Sequence, residues 1–207
     1  MPALTTERLL RARIPKKYWD ASLGEVPEED EHRKSVIAFL NNLKDAMARG
    51  VGLFLWSSEN ATGKTALLCI IGRVALAKSM SVLFLRSEEL ATTRLNDQAY
   101  DENLTMFDRA STVDVLLVDD VGKEVVGRQS TAGFREQLFE DLIRSRAQAG
   151  LVTCITSNLA PSHIKQRFQS EDLASVLRES TIGVEVKSSR KWRHEVAREN
   201  RSLIEEG

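Results

Sequence analysis

The chain of 207 residues is poor in the residues that mark several classes of protein. It has 2 cysteines, 4 prolines and 11 glycines, and aromatic residues make up only 6% of it. Hydrophobic residues account for 42% of the chain, so collagen-like, low-complexity and wholly disordered proteins are excluded. The length and composition predict one globular domain with a short appendage.

Cysteine is scarce, and both cysteines, Cys69 and Cys154, lie inside apolar runs. This pattern provides neither a disulfide framework nor a four-ligand zinc site, so we expect a reducing, cytoplasmic setting. The three histidines, His32, His163 and His194, show no metal-ligand spacing and are interpreted as surface residues. No apolar run reaches the length of about 18 residues that crosses a bilayer, so no membrane role is expected.

An excess of charge of one sign is also absent, because 29 Lys and Arg stand against 30 Asp and Glu. A nucleic acid would therefore have to be met by a local basic patch. The end of the chain has such a stretch, although a run of charges of this kind is more often a solvated helix face. Its basic residues are Lys187, Arg190, Lys191, Arg193, Arg198 and Arg201.

Local composition divides the chain into an N-terminal arm, residues 1–26, and a domain, residues 27–207, that ends in a basic helix. A helix is predicted from about Asp30 to Gly50, where glycine is a stop signal. Five short apolar runs then alternate with helical patterns. Strands that are apolar on both faces and joined by long crossovers predict a parallel sheet covered by helices. The fold class is therefore a three-layer α/β/α fold with a five-stranded parallel sheet.

A phosphate-binding loop follows the first of these strands. The segment from Ser58 to Thr65 has the frame G-x-x-x-x-G-K-[ST], in which backbone N–H groups at a helix start wrap a triphosphate. Lys64 would reach the β- and γ-phosphates, and the Thr65 hydroxyl would ligate Mg²⁺. An ordinary helix start after a strand is the alternative. The predicted nucleotide-binding residues are Ser58, Glu59, Asn60, Ala61, Thr62, Gly63, Lys64, Thr65 and Ala66.

Ser58 stands where the frame has its first glycine. If the backbone there needs a positive φ, a residue other than glycine costs about 1 kcal/mol or more, and nucleotide affinity falls.

Two acids end the third apolar run, as in a Walker B element. Asp119 would hold the hydration shell of Mg²⁺, and Asp120 would orient the attacking water. A solvated Asp-Asp turn is the alternative. Because ligands of open α/β sheets bind at the carboxyl ends of the strands, both motifs together predict a site for ATP and Mg²⁺. Asn158 follows the next strand, where its amide would contact the γ-phosphate or the water, or form an Asx turn.

These segments together resemble the AAA+ ATPases of the DnaC/DnaI helicase-loader and IstB transposition-helper family. The resemblance rests on Asp119-Asp120-Val121-Gly122, on Ile143-Arg144-Ser145-Arg146, on Thr156-Ser157-Asn158-Leu159 and on the arm segment from Arg11 to Tyr18. It runs from about residue 8 to about residue 195.

The resemblance implies an AAA+ core with a short or truncated C-terminal lid, acting as an ATP-dependent, DNA-associated oligomer. It assigns Asn158 as the sensor, Arg178 as an arginine finger acting on the neighbouring subunit, and Arg193 as the last motif's arginine, with Arg190 as a competing alignment. A surface ion pair is the alternative for Arg178. The family's DNA-facing insert would span residues 87–112 as two short helices, with Arg94 and Arg109 as candidate contacts.

Three functions fit these expectations. The first is a switch that binds ATP, Mg²⁺ and single-stranded DNA and remodels or loads a replicative hexameric helicase, with slow ATP hydrolysis. The second is a transposition helper that delivers a transposase to target DNA. The third is a nucleotide-binding scaffold that no longer hydrolyses ATP. A P-loop kinase of small metabolites is disfavoured, because no lid for a second substrate is evident.

Overall fold

The computed structural model describes residues 4–90, 102–122 and 129–187, and confirms the five-stranded parallel sheet. Its spatial order is β2-β3-β4-β1-β5, and every pair of neighbouring strands is parallel. The strands are β1 (Gly52–Trp56), β2 (Val82–Arg86), β3 (Val115–Val121), β4 (Val152–Ser157) and β5 (Thr181–Glu185).

Helices cover both faces of the sheet. The α-helices with described bounds are α1 (Thr6–Arg11), α2 (Glu31–Asn41), α3 (Leu43–Arg49), α4 (Lys64–Ala77), α5 (Glu102–Thr112), α6 (Gln129–Gln148), α7 (Pro161–Phe168) and α8 (Glu171–Ser180). Residues 87–90 are also helical, and two short 3₁₀ turns span Lys16–Tyr18 and Leu23–Glu25. None of the helices in the described ranges is long and apolar enough to span a membrane.

The strands are apolar throughout because each of their faces packs against helices. In β1, Leu53 and Leu55 belong to the core on one face, and Phe54 belongs to the core on the other. This alternation follows from the two-residue period of a strand, and the absence of polar positions follows from burial on both sides. Helix α4 lies very close to β3, since a Cβ added at Gly72 would be 2.5 Å from Leu117 Cδ1.

The helix expected from Asp30 to Gly50 is broken into α2 and α3. Asn42 separates them, and its side-chain amide donates to the Ala38 carbonyl at 2.8 Å. Asparagine competes in this way with the backbone hydrogen bonds of a helix. Gly50 ends α3 in the left-handed conformation, as the stop signal predicts.

The described part of the N-terminal segment, residues 4–26, packs against the domain. Leu9, Ala12 and Ile14 are buried in the same core cluster as the inner side of α4. The Phe84 N–H of edge strand β2 donates to the Ala12 carbonyl at 2.8 Å, and the Arg73 guanidinium of α4 donates to the Ala21 carbonyl. The segment therefore covers one edge of the sheet and is continuous with the core.

Several predicted residues lie outside the described ranges. Among them are Arg193 and its alternative Arg190, the rest of the terminal basic stretch after Lys187, the C-terminal lid and Arg94. Arg109 is described, and its guanidinium donates to the Arg11 carbonyl at 2.8 Å.

Candidate nucleotide-binding site

The predicted phosphate loop and the predicted acid pair meet at the carboxyl edge of the sheet. Residues 57–63 connect β1 to α4, and Asp119 lies near the end of β3. The Thr65 hydroxyl donates to both carboxylate oxygens of Asp119, at 3.0 and 3.2 Å. The two motifs therefore lie side by side, as a single metal-bound triphosphate requires.

The loop delivers the start of α4 to this site. Gly63 precedes the helix with φ 88°, a left-handed conformation that glycine adopts without a steric penalty. Lys64 is buried, and its ammonium group donates to the Glu59 carbonyl at 2.9 Å and to the Thr62 hydroxyl at 3.4 Å. The N–H groups of the first helical turn have no partner inside the helix, so they are available to an anion.

The strained position of the loop is Ala61. Its φ is 64°, whereas Ser58 is not among the described residues with positive φ. The cost of about 1 kcal/mol that we expect for a residue other than glycine therefore arises at Ala61. Ser58 is exposed and takes the place of glycine without that strain.

Asp119 is a buried carboxyl group, 6% exposed. Burial raises its pKa above the usual aspartate value, and the negative charge of Asp120 raises it further. Hydrogen bonds from Thr156 and Thr65 and the charge of Arg86 oppose this rise in pKa. The site therefore holds an acid whose charge is costly until a cation compensates it.

We expect the Mg²⁺-dependent part of ATP affinity to fall on acidification, at a pH above the ordinary aspartate pKa of about 3.9. Protons compete with the metal for Asp119, whose pKa is raised. The same shift makes the nucleotide-free protein gain stability as the pH falls towards the unfolded-state pKa. Calorimetric titration with and without Mg²⁺ at several pH values measures the first effect. Asp119→Asn is the control, and equal pH profiles in both proteins would exclude Asp119 as the titrating group.

Asp120 lies beside Asp119 in a left-handed backbone conformation, with φ 61°. Its N–H donates to the Thr156 hydroxyl at 2.9 Å, and that hydroxyl donates to Asp119 at 2.6 Å. In the sequence, Thr156 is part of the segment Thr156-Ser157-Asn158-Leu159, and no motif spacing predicts a role for it. The signal available was its position at the end of β4, directly before Asn158.

Asn158 lies beside the phosphate loop, as predicted for a residue that follows β4. Its amide donates to the Asn60 side-chain oxygen at 3.3 Å. The structure thus brings together the loop, the acid pair and Asn158 around one edge of the sheet.

Arg178 lies elsewhere. It is exposed on α8, three residues before β5 begins, and therefore at the amino end of the parallel strands. β1 and β5 run in register from Gly52 opposite Thr181 to Trp56 opposite Glu185, so about 16 Å of strand separates Arg178 from the phosphate loop. Arg178 cannot reach the nucleotide site of its own chain.

A small cavity adjoins the loop at the start of α4. It is lined by Ala21, Ser22, Glu25, Val26, His32, Thr62, Gly63, Ala66, Leu67 and Ile70. The interpretation of His32 as a surface residue is wrong, because it is 3% exposed and its Nδ1 has no partner among the described residues. Burial lowers the pKa of His32, against the opposing charge of Asp30.

The donor set at the carboxyl edge fits Mg²⁺. A hydroxyl and a carboxylate, from Thr65 and Asp119, are in direct contact, and both are oxygen ligands of the kind this cation prefers. Within the described residues, no group of three or more His, Cys, Asp or Glu side chains forms a metal cage.

Comparison with known proteins agrees with this geometry. The family model of IstB-like ATP binding proteins matches residues 53–183, which include the loop, the acid pair, Asn158 and Arg178. The chain belongs to this family.

One curated relative is the chromosomal replication initiator protein DnaA of Corynebacterium jeikeium, 28% identical over 152 residues, or 57% of this chain. The matched part is 26% of that relative, so the chain spans about a quarter of its length. A crystal structure of the DnaC helicase loader has a TM-score of 0.69 and 22% identity, covering 84% of this chain and all of that one. The replication initiator DnaA bound to AMPPCP and single-stranded DNA has a TM-score of 0.65 and 20% identity, covering 92% and 56%.

These findings establish an IstB-like ATP-binding domain, whose fold is similar to the folds of the DnaC helicase loader and of DnaA. At sequence identities of 20 and 22%, the solved structures show only that the fold is shared. The predicted family resemblance and the α/β P-loop fold are confirmed.

Proposed function

We propose that this protein is an ATP-hydrolysing switch that acts on a replicative hexameric helicase together with single-stranded DNA. The observation that carries the proposal is the contact between Thr65 and Asp119, which joins the phosphate loop to the acid pair in a DnaC-type core. The DnaA structure that matches this fold was solved with AMPPCP and single-stranded DNA. The single-stranded DNA in a structure of the same fold supports single-stranded DNA as the nucleic acid that this protein binds.

In this proposal, residues 58–66 bind the triphosphate, with Lys64 on the β- and γ-phosphates. Thr65 and Asp119 would hold Mg²⁺, which would supply charge neutralisation when bound. Asp120 orients the attacking water, and Asn158 contacts the γ-phosphate from the next strand. The nucleoside end lies beside the start of α4, next to the small cavity that Val26, Leu67 and His32 line.

We further propose that residues 27–207 form the ATPase domain and that residues 1–26 contribute one wall of its nucleotide site. Ala21 and Val26 support this role, because both line the cavity. Arg193 is proposed as a further contact to the nucleotide from the end of the chain.

A transposition helper is the second candidate function, and the IstB-like family model favours it. The two candidates share the ATP site and differ in the partner. Affinity capture of the tagged chain from its host, in the presence of Mg²⁺ and ATP, distinguishes them. Co-purification of a hexameric helicase supports the first function, and co-purification of a transposase replaces it with the second. Lys64→Ala is the matched control for ATP-dependent capture.

Arg178 is proposed to act on the ATP of a neighbouring subunit. We expect Arg178→Ala to leave ATP binding unchanged while slowing turnover by about a hundredfold or more, because an arginine finger stabilises charge that develops in the transition state. Arg49→Ala is the control, since Arg49 lines the same surface groove as Arg178.

Mixing Arg178→Ala with Lys64→Ala protein tests the assignment to the neighbouring subunit. A mixed assembly pairs an intact loop of one variant with the intact arginine of the other, so activity should return. No recovery under conditions where the wild-type protein assembles would contradict action between subunits.

A further inference from the structure

The end of β3 carries one more residue than the strand it pairs with. Val118 pairs with Ile155 and Val121 with Ser157, so β3 advances three residues while β4 advances two. Asp119 and Asp120 therefore lie opposite one residue, Thr156. A β-bulge of this kind interrupts the ladder, leaves a backbone group without its strand partner and redirects side chains.

The Thr156 hydroxyl occupies the bulge. Thr156 is 0% exposed, and its Oγ1 donates to Asp119 Oδ1 at 2.6 Å while accepting the Asp120 N–H at 2.9 Å. A hydroxyl has one proton, and here that proton is directed to the carboxylate of Asp119. One oxygen atom thus contacts the side chain of one acid and the backbone of the other.

The backbone of Asp120 is held from both sides. Its N–H is bonded to Thr156, and its carbonyl accepts the Ser87 hydroxyl at 3.0 Å. The left-handed φ of 61° is sparsely populated by residues other than glycine, although aspartate tolerates it better than most. These two hydrogen bonds hold the backbone from which the Asp120 side chain leaves the strand.

We propose that Thr156 is a positioning residue that sets the directions of Asp119 and Asp120 relative to each other. Losing its hydroxyl releases the Asp120 backbone and one oxygen of Asp119 at the same time. The proposal rests on the proposed ATP hydrolysis at this site, and it adds a residue that neither motif contains. A purely structural role would only satisfy buried polar groups at the end of β4.

Three variants separate these roles. Thr156→Val removes the hydroxyl and keeps the shape of the side chain, whereas Thr156→Ser keeps the hydroxyl. Thr153→Val is the matched control, because Thr153 is also buried in β4 and its hydroxyl accepts from Arg146 Nε at 3.0 Å, away from the acids.

We expect Thr156→Val to lower kcat by about a hundredfold, a typical effect of misplaced reacting groups, while ATP affinity without Mg²⁺ stays unchanged. Thr156→Ser should recover most of the wild-type kcat. Thr153→Val should keep the wild-type kcat, even if its thermal midpoint falls as far as that of Thr156→Val. Equal losses of kcat in Thr156→Val and Thr153→Val, or no loss in Thr156→Val, would overturn the proposal.

A second measurement does not depend on hydrolysis. In the nucleotide-free protein, NMR backbone shifts and couplings of Asp120 should indicate a left-handed residue in the wild type and in Thr156→Ser, and an altered one in Thr156→Val. A left-handed Asp120 in Thr156→Val would overturn the positioning role. If the wild type hydrolyses no ATP, the proposed function fails, and this second measurement still decides the role of Thr156.

Discussion

Replacing Lys64 with alanine is expected to weaken ATP binding by about a hundredfold and to abolish measurable hydrolysis. The ammonium group is buried at the loop, where it now donates to the Glu59 carbonyl and lies ready for phosphate oxygens. Hydrogen bonds to charged groups contribute about 1.5–3 kcal/mol, and each 1.4 kcal/mol is about tenfold in affinity. Calorimetric titration with ATP and a phosphate-release assay measure both effects.

Lys78→Ala is the control for this prediction. Lys78 lies at the other end of α4, about 21 Å along the helix axis, so the loss of a positive charge there should leave ATP affinity unchanged. Circular dichroism establishes that both variants are folded. If folded Lys64→Ala protein binds ATP as tightly as the wild type, the loop is not part of the ATP site.

Arg146→Met is expected to lower the free energy of unfolding by about 4 kcal/mol, which for a chain of this length is a fall of about 10 °C in thermal midpoint. Arg146 is 0% exposed. Its guanidinium donates to the carbonyls of Ala110, Val113 and Val152 at 2.7–2.9 Å, and to the Thr153 hydroxyl at 3.0 Å. Burial lowers its pKa to about 10, so it remains charged at neutral pH.

Arg146 thus joins α6 to β4 and to the end of α5. Methionine keeps the apolar stem and leaves these acceptors unsatisfied, which accounts for the size of the loss. Arg144→Met is the matched control, because Arg144 is partly exposed and contacts Glu140 and Asp172 at the surface. Replacing Arg144 with methionine should change the thermal midpoint very little. A similar midpoint for both variants in thermal unfolding would contradict the assigned role of Arg146.

The strands and their parallel arrangement follow from the sequence because burial on both faces leaves apolar runs with no polar alternation. The order of the strands does not follow, since it depends on where each crossover places the next strand. The sequence does not predict the break at Asn42, because apolar residues at helical spacing continue from α2 into α3. The packing of residues 4–26 depends on hydrogen bonds between distant segments, such as that from Phe84 to Ala12.

The site was predictable where chemistry is carried by a fixed spacing. The loop frame and the paired acids have such spacing, and the contact between Thr65 and Asp119 agrees with it. Thr156 and His32 have no spacing that marks them. Their positions arise from a bulge and from helix packing, which depend on three-dimensional contacts.

In the proposed mechanism, the loop and the acid pair act on one metal-bound nucleotide. A double-mutant cycle on Thr65→Val and Asp119→Asn tests it most directly, with ATP affinity measured by calorimetry with and without Mg²⁺. Each single replacement should remove the gain in affinity that Mg²⁺ provides, and the double replacement should lose no more than the larger single loss. Independent, additive losses in the two variants, or a Mg²⁺ effect that survives in both, would show that Thr65 and Asp119 do not share one metal ion.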